Sequence, residues 1–413
     1  MPSFRSRLAL VSLLASLAIA QAQWGCQRSS TSGPSDAELR SALVTYADIA
    51  EANYADAANG ARDLGVAIDA LIADPSELAL ARAREAWLRA RVPYAQSEVF
   101  RFYDGPIDSV ELLVNTWPID EAYVEAGGAG GQAGPPGIIE DTTRYPELTR
   151  ELLVRLNTRE GETSIATGYH VIEFLLWGRD LRRDGPGERP YTDYVQAAEH
   201  SHADSARVAK RRGQYLKLAA ELLTDHLEAV ADAWSDRSDR RNRAGNYREV
   251  FLRKPTREAL ALLVKGMGSL SGAELAGERL TVAYETKNQE NEHSCFSDST
   301  HLDLTGDAVG IQNVCSGHYR RLDGSEIRGT GICALLSKHD AELGRALTAQ
   351  VDDSVRALKA IPAPFDTAIL GTDSAPSRQA VARAIQALQR QTQTLAQFAG
   401  KLALTVPTYE ARR

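Results

Sequence analysis

Apolar residues recur along this chain every three or four positions, and no stretch shows the sustained two-residue alternation of a half-buried strand. Leu39, Leu43, Ile49, Leu64, Ile68 and Leu71 mark a first run, and Leu80, Trp87 and Leu88 a second. The period returns in 205–234 through Leu216, Leu223, Leu227 and Val230, and again in 255–280, 335–361 and 377–404. Ser35-Asp36-Ala37-Glu38 reads as a capping box that starts the first helix. Asp74-Pro75-Ser76-Glu77 reads as a second start, with Pro75 at the first helical position. The expected fold is all-α, built from long helices packed as bundles. Residues 127–137 and 180–190 read as loops, and 235–245 is the best boundary between halves, giving 36–240 and 241–405.

At 413 residues, 43% hydrophobic and 25% charged, the composition is that of a globular protein with room for two domains or one double-layered body. The formal charge of −8 offers no basic footprint for phosphate contacts, so no nucleic-acid partner is expected. Arg5 and Arg7 precede an apolar run from Leu8 to Ala20, and Ala20-Gln21-Ala22 supplies small residues at a cleavage site. Residues 1–22 therefore read as a secretory signal, too short to span a membrane, and 23–35 as a polar tether. Its removal takes away two positive and no negative charges, leaving −10. Cys26 opens an alternative: a lipid on this residue would anchor the protein in the cell envelope. Soluble export is the first expectation, because Gln23-Trp24-Gly25 matches a lipidation site poorly.

The four cysteines, Cys26, Cys295, Cys315 and Cys333, allow three complete pairings. Cys315 and Cys333 read either as one local staple or as two buried thiols.

Three segments carry residues that a plain bundle does not need. In Gly168-Tyr169-His170-Val171-Ile172-Glu173-Phe174-Leu175-Leu176-Trp177-Gly178, His170 and Glu173 stand three apart and share a helix face. Their neighbours are apolar nearly all round, so the helix is buried and the pair needs each other, other partners or a metal. Gly168 weakens a helix unless something approaches its backbone closely. In Arg91 to Asp108, Glu98, Arg101 and Asp104 can form one helical stripe, with Arg101 pairing either acid or facing a pocket. Between Tyr284 and Asp303, the residues Glu285, Glu290, Glu292, His293, Cys295, Asp298, His301 and Asp303 crowd carboxylate, imidazole and thiol together, a donor set suited to iron, zinc or manganese. His200 and His202, two apart, diverge on a helix and read as surface. There is no H-E-x-x-H, G-x-S-x-G, G-x-x-x-x-G-K-[ST] or C-x-x-C-H, so the usual zinc-protease, serine-hydrolase, nucleotide and haem signatures are missing.

Together these segments resemble the imelysin-like family, in its iron-regulated protein A branch. Gly168-x-His170-x-x-Glu173 matches the G-x-H-x-x-E signature, and its extension through Phe-Leu-Leu-Trp-Gly sharpens the match. The runs Gln96–Asp108, Trp117–Glu121, Met267–Gly272 and Glu292–Asp298 are similar to that branch, and the resemblance covers about residues 36–405. It implies a duplicated all-helical body of two bundle-like halves, together one domain, around a central cleft lined by the signature His and Glu. It also implies export and a link to iron acquisition.

On that resemblance, His170 and Glu173 would ligate a metal ion, iron first and zinc second, or a metal chelate. Glu98 or Asp104 would complete the shell and Arg101 would orient an anionic chelate. Gly168, Glu292, His293, Cys295, Asp298 and His301 would line the cleft. Membrane transport components are the expected protein partners, and membrane contact is expected only through a lipid on Cys26. The alternatives are an imelysin-type metallopeptidase, for which His170 and Glu173 supply at most two ligands, and a non-catalytic module binding an organic ligand or protein.

Overall fold

Ser35 opens the first helix as the sequence predicts: its hydroxyl caps the Glu38 amide at 3.4 Å, while the Glu38 carboxylate accepts from the Ser35 amide at 2.9 Å. The computed structural model describes residues 33–126, 135–182, 185–196, 203–236 and 246–406. The readings of residues 1–22, Cys26, His200 and His202 fall outside the described residues, as do most of the loop at 127–137 and of the break at 235–245.

The first helix, Asp36–Ala73, packs against Glu77–Ser97 and against Ala203–Trp234. The second begins two residues later than expected. Ser76 caps it through the Ala79 amide at 3.2 Å, and Pro75 lies outside. A second group of helices follows: Thr256–Ser269, which continues through a wide-turn segment Leu270–Thr281 into Val282–Thr286, then Thr300–Ser316, Ala341–Lys359 and Pro376–Lys401. Thr256–Thr286 is long and apolar enough to cross a membrane by composition, yet 67% of its most apolar window is buried in the protein. The run at 335–361 is two helices, because Asp340 ends Ile332–His339 and caps Ala341–Lys359 through the Leu343 amide at 3.0 Å.

Glu77–Ser97 packs directly on Thr300–Ser316, joining the two groups. Gly306 and Gly310 lie one turn apart at this crossing, where added Cβ atoms would collide with Ala95 and the Gln96 backbone. The described residues from Gly33 onward form one unit.

One feature departs from the sequence expectation of helices alone. His318–Arg320 and Glu326–Arg328 form a small antiparallel hairpin, with Tyr319 paired to Ile327. Its base is closed by a disulfide between Cys315 and Cys333, with Cα atoms 4.9 Å apart, which settles the choice between staple and free thiols. Cys295 is a free thiol.

Candidate functional site

The signature helix is Tyr169–Trp177, nine residues with every side chain buried. Gly168 caps it at φ 91°, and a Cβ there would stand 2.5 Å from the Val114 carbonyl oxygen, so both conformation and space demand glycine. The Trp87 indole donates to the Tyr169 carbonyl at 2.9 Å and fixes the first turn. From that turn His170 and Glu173 meet on one face, Nδ1 to Oε2 at 2.8 Å. His170 is 2% exposed and Glu173 0%.

The loop ahead of Thr300–Ser316 completes this contact. Ser297 donates its amide, at 2.9 Å, and its hydroxyl, at 2.7 Å, to Glu173 Oε1. Both carboxyl oxygens are therefore engaged, and His170 Nε2 is left buried with no hydrogen-bond partner. Burial, reinforced by Arg91, pulls His170 down to about 3, so the imidazole is neutral at neutral pH. Burial pushes Glu173 up to about 8, against the pull of Ser297. The contact is thus a hydrogen bond to a neutral imidazole rather than an ion pair.

Against His170 stands His293, ring centroids 4.7 Å apart and edge to face, with Trp117 on its other side at 5.3 Å. His293 Nδ1 meets Asp303 Oδ2 at 2.8 Å, and its Nε2 lies 3.5 Å from the Asn115 amide nitrogen. Asp303 also accepts from the Ser294 hydroxyl and from Arg91, whose Nε is 3.0 Å from Oδ1. The Arg91 guanidinium lies over the ring of Tyr169 at 4.9 Å. Burial, with Arg279 nearby, pulls His293 down to about 3 as well.

Glu98 belongs to a neighbouring ionic network. Its Oε2 accepts from Arg101 and Arg279, both at 2.7 Å, and its Oε1 from Asn115 at 3.1 Å. Burial raises this carboxyl, but the arginines outweigh it and hold Glu98 at about 2. Arg101 pairs with Glu98 and, at 3.1 Å, with Glu111. The expected helical stripe does not extend to Asp104. The helix ends at Ser97, Glu98–Phe100 is a tighter turn, and Asp104 sits exposed at φ 60°.

The segment from Glu292 to Asp303 reaches the site through His293, Ser294, Ser297 and Asp303. Cys295 is half-buried, and burial and then Glu173 push its thiol well above the ordinary range. His301 is half-buried in the first turn of Thr300–Ser316. Glu292 and Asp298 are both buried; burial pushes Glu292 up to about 9 against the pull of the Thr300 hydroxyl, and neither oxygen of Asp298 has a hydrogen-bond partner. Among the described residues no three His, Cys, Asp or Glu side chains converge closely enough to share one metal ion as they stand.

Asn115, Arg279 and Asp307 escape the sequence reading. Arg279 pairs with Asp307 at 2.6 Å while holding Glu98. Its position in a mostly apolar helix, between Leu275 and Leu280, is the one signal that pointed to a buried role.

The imelysin family model matches residues 50–395. Iron-regulated protein A of Synechococcus elongatus is 27% identical over 326 residues, covering 76% of this chain and 73% of that protein. Two crystal structures are similar in fold. An iron-regulated protein A precursor from Parabacteroides distasonis has a TM-score of 0.66 at 20% identity, over 90% of this chain and 97% of the other. An imelysin-like protein from Psychrobacter arcticum has a TM-score of 0.56 at 15% identity, over 91% and 98%. With the G-x-H-x-x-E residues seated where two helical groups meet, and a family match over most of its length, this chain belongs to the imelysin family.

Proposed function

We propose that this protein is exported and binds iron, with zinc as the alternative, or a metal-containing ligand through His170, and so assists iron uptake. The observation that carries the reading is a buried imidazole whose Nδ1 is held by a carboxyl group while its Nε2 has no partner. A metal-ligating histidine is oriented in this way from its far side once the carboxyl is ionised. When Glu173 ionises it accepts Nδ1–H, and the Nε2 lone pair is then free to ligate. Glu173 is engaged by Ser297 and His170, so in this reading it positions the ligand more than it coordinates the metal. Since no three side chains already converge, the remaining coordination would come from water or from a chelate, which favours a metal that arrives with donors of its own.

The name of the Synechococcus relative supports the link to iron, and the secretory pattern of residues 1–22 supports export. A protein of this kind would pass its cargo to membrane transport components. The test is a titration of metal-free protein with ferrous, ferric-citrate, zinc and manganese ions. His170→Ala is expected to lose the tightest of these affinities, and unchanged affinities would remove His170 from the site.

A further inference from the structure

His170 is buried, so nothing reaches its Nε2 unless a neighbour moves. The helices around it are held hard. Arg91–Asp303 and Arg279–Glu98 cross between the two groups as buried ion pairs, and Gly306 and Gly310 fit closely against Ala95 and Gln96. Parting those helices would strand charges in the core. The turn at 294–299 is held by lighter contacts.

That turn is closed on itself at its base, where the Ser299 amide donates to the Ser294 carbonyl at 3.2 Å and the Ser294 amide to the Thr300 hydroxyl at 3.0 Å. Its tip presses on the signature helix. Ser297 donates to Glu173, Phe296 packs on Phe174 with ring centroids 5.3 Å apart, and the Phe296 carbonyl accepts from the Gly187 amide at 2.9 Å. Glu173 and Phe174 lie on the helix face that His170 shares. Phe296 is the one large apolar side chain in the turn, whose other residues are Ser, Cys and Asp. Lifting it therefore uncovers little apolar surface and exchanges a few hydrogen bonds for bonds to water. Asp298 turns the chain at φ 54°, a left-handed conformation that a non-glycine residue holds only while its surroundings impose it. A surface pocket of about 330 Å³ already reaches this contact: Phe174 and Gly187, which hold Phe296, line it together with Trp177 and Arg189.

We propose that the turn at 294–299 is a flap over the signature pair, hinged at its closed base, which lifts to join this pocket to His170 and recloses when Ser297 engages Glu173. Lifting takes both Ser297 bonds off Glu173 Oε1, so the carboxyl that positions His170 is released while a ligand enters, and reclosure fixes it again. His293, just ahead of the flap, stays bonded to Asp303 as part of the fixed wall. Access belongs to the flap alone, while the identity of the ligand admitted rests on the His170 reading.

Diethyl pyrocarbonate, which acylates a neutral imidazole nitrogen, is the probe, with modification of His170 in the full chain followed by peptide mass spectrometry at neutral pH and His318 as internal reference. In the wild type His170 should react at a rate that stays flat in urea below the unfolding transition, because the opening is local. Phe296→Ala should raise that rate at least about tenfold. Leu347→Ala, a core truncation in Ala341–Lys359, should leave it unchanged. Ser297→Ala, the milder change, should raise it about fivefold and serves as the readout if Phe296→Ala does not fold. A His170 rate that rises only with global unfolding, or one rate shared by the wild type and both flap variants, overturns the flap. Ferric citrate should protect His170 in the wild type. Gated labelling without that protection removes the metal reading and leaves the flap standing.

Discussion

Ser297 donates twice to one oxygen of Glu173, and so ties the loop ahead of Thr300–Ser316 to the signature helix. Glu173 Oε1 is satisfied from one side of the molecule and Oε2 from the other, where it meets His170. The orientation of the imidazole therefore depends on a residue more than a hundred positions away. Ser297→Ala keeps the amide bond and loses the hydroxyl. It should cost about 1–2 kcal/mol of stability, measured by urea unfolding, and raise the Glu173 value further because one group that favours its ionised form is gone.

The Arg91–Asp303 pair is a buried ion pair, with side chains 3% and 1% exposed. Removing one partner leaves an uncompensated charge in the core. Asp303→Asn should destabilise the protein by about 3–5 kcal/mol in denaturant titrations, and it should also release His293, whose Nδ1 bonds the same carboxylate. Replacing both with apolar residues, Arg91→Met and Asp303→Leu, should cost less than either charge removed alone.

Gly168→Ala should destabilise by about 2–4 kcal/mol, since φ 91° strains an alanine and its methyl would meet the Val114 carbonyl. Thermal unfolding measures this directly. A loss no larger than that of a surface Gly→Ala change would show that the helix start relaxes.

Glu173 gives the stability a pH signature. Its folded value of about 8 lies above the ordinary 4.5, so the folded state holds a proton that the unfolded chain releases. The stability it contributes is whole below about pH 4.5 and is lost as the pH rises through about 8. At one pKa unit per 1.36 kcal/mol, the wild type should lose about 4–5 kcal/mol relative to Glu173→Gln between pH 4.5 and 9. Urea midpoints for the two proteins across that range check the sign: parallel curves would mean that Glu173 is ionised in the fold at neutral pH.

Helix starts were legible to within a turn because caps are local chemistry: Ser35 caps where its capping box placed it, while the second start was read two residues early, at Pro75, where Ser76 is the cap. The division at Asp340 was hidden, since the apolar period runs through it while its cap breaks the backbone. The hairpin at 318–328 is too short to establish a two-residue period and is defined by a disulfide that sequence left open. At the site, the His170–Glu173 contact follows from spacing on one helix. The fate of Glu98 does not, because it is decided by Arg279 from 181 positions away. Asp104 looked like a member of the same stripe only as long as the helix was taken to continue past Ser97.

The central claim is that His170 Nε2 is a metal ligand held in place by Glu173. Element analysis of protein purified from its native host cells, wild type beside a folded His170→Ala variant, tests it most directly. The account predicts iron at close to one atom per chain in the wild type and little in the variant. Equal metal content in the two proteins, or no metal in the wild type, would contradict it.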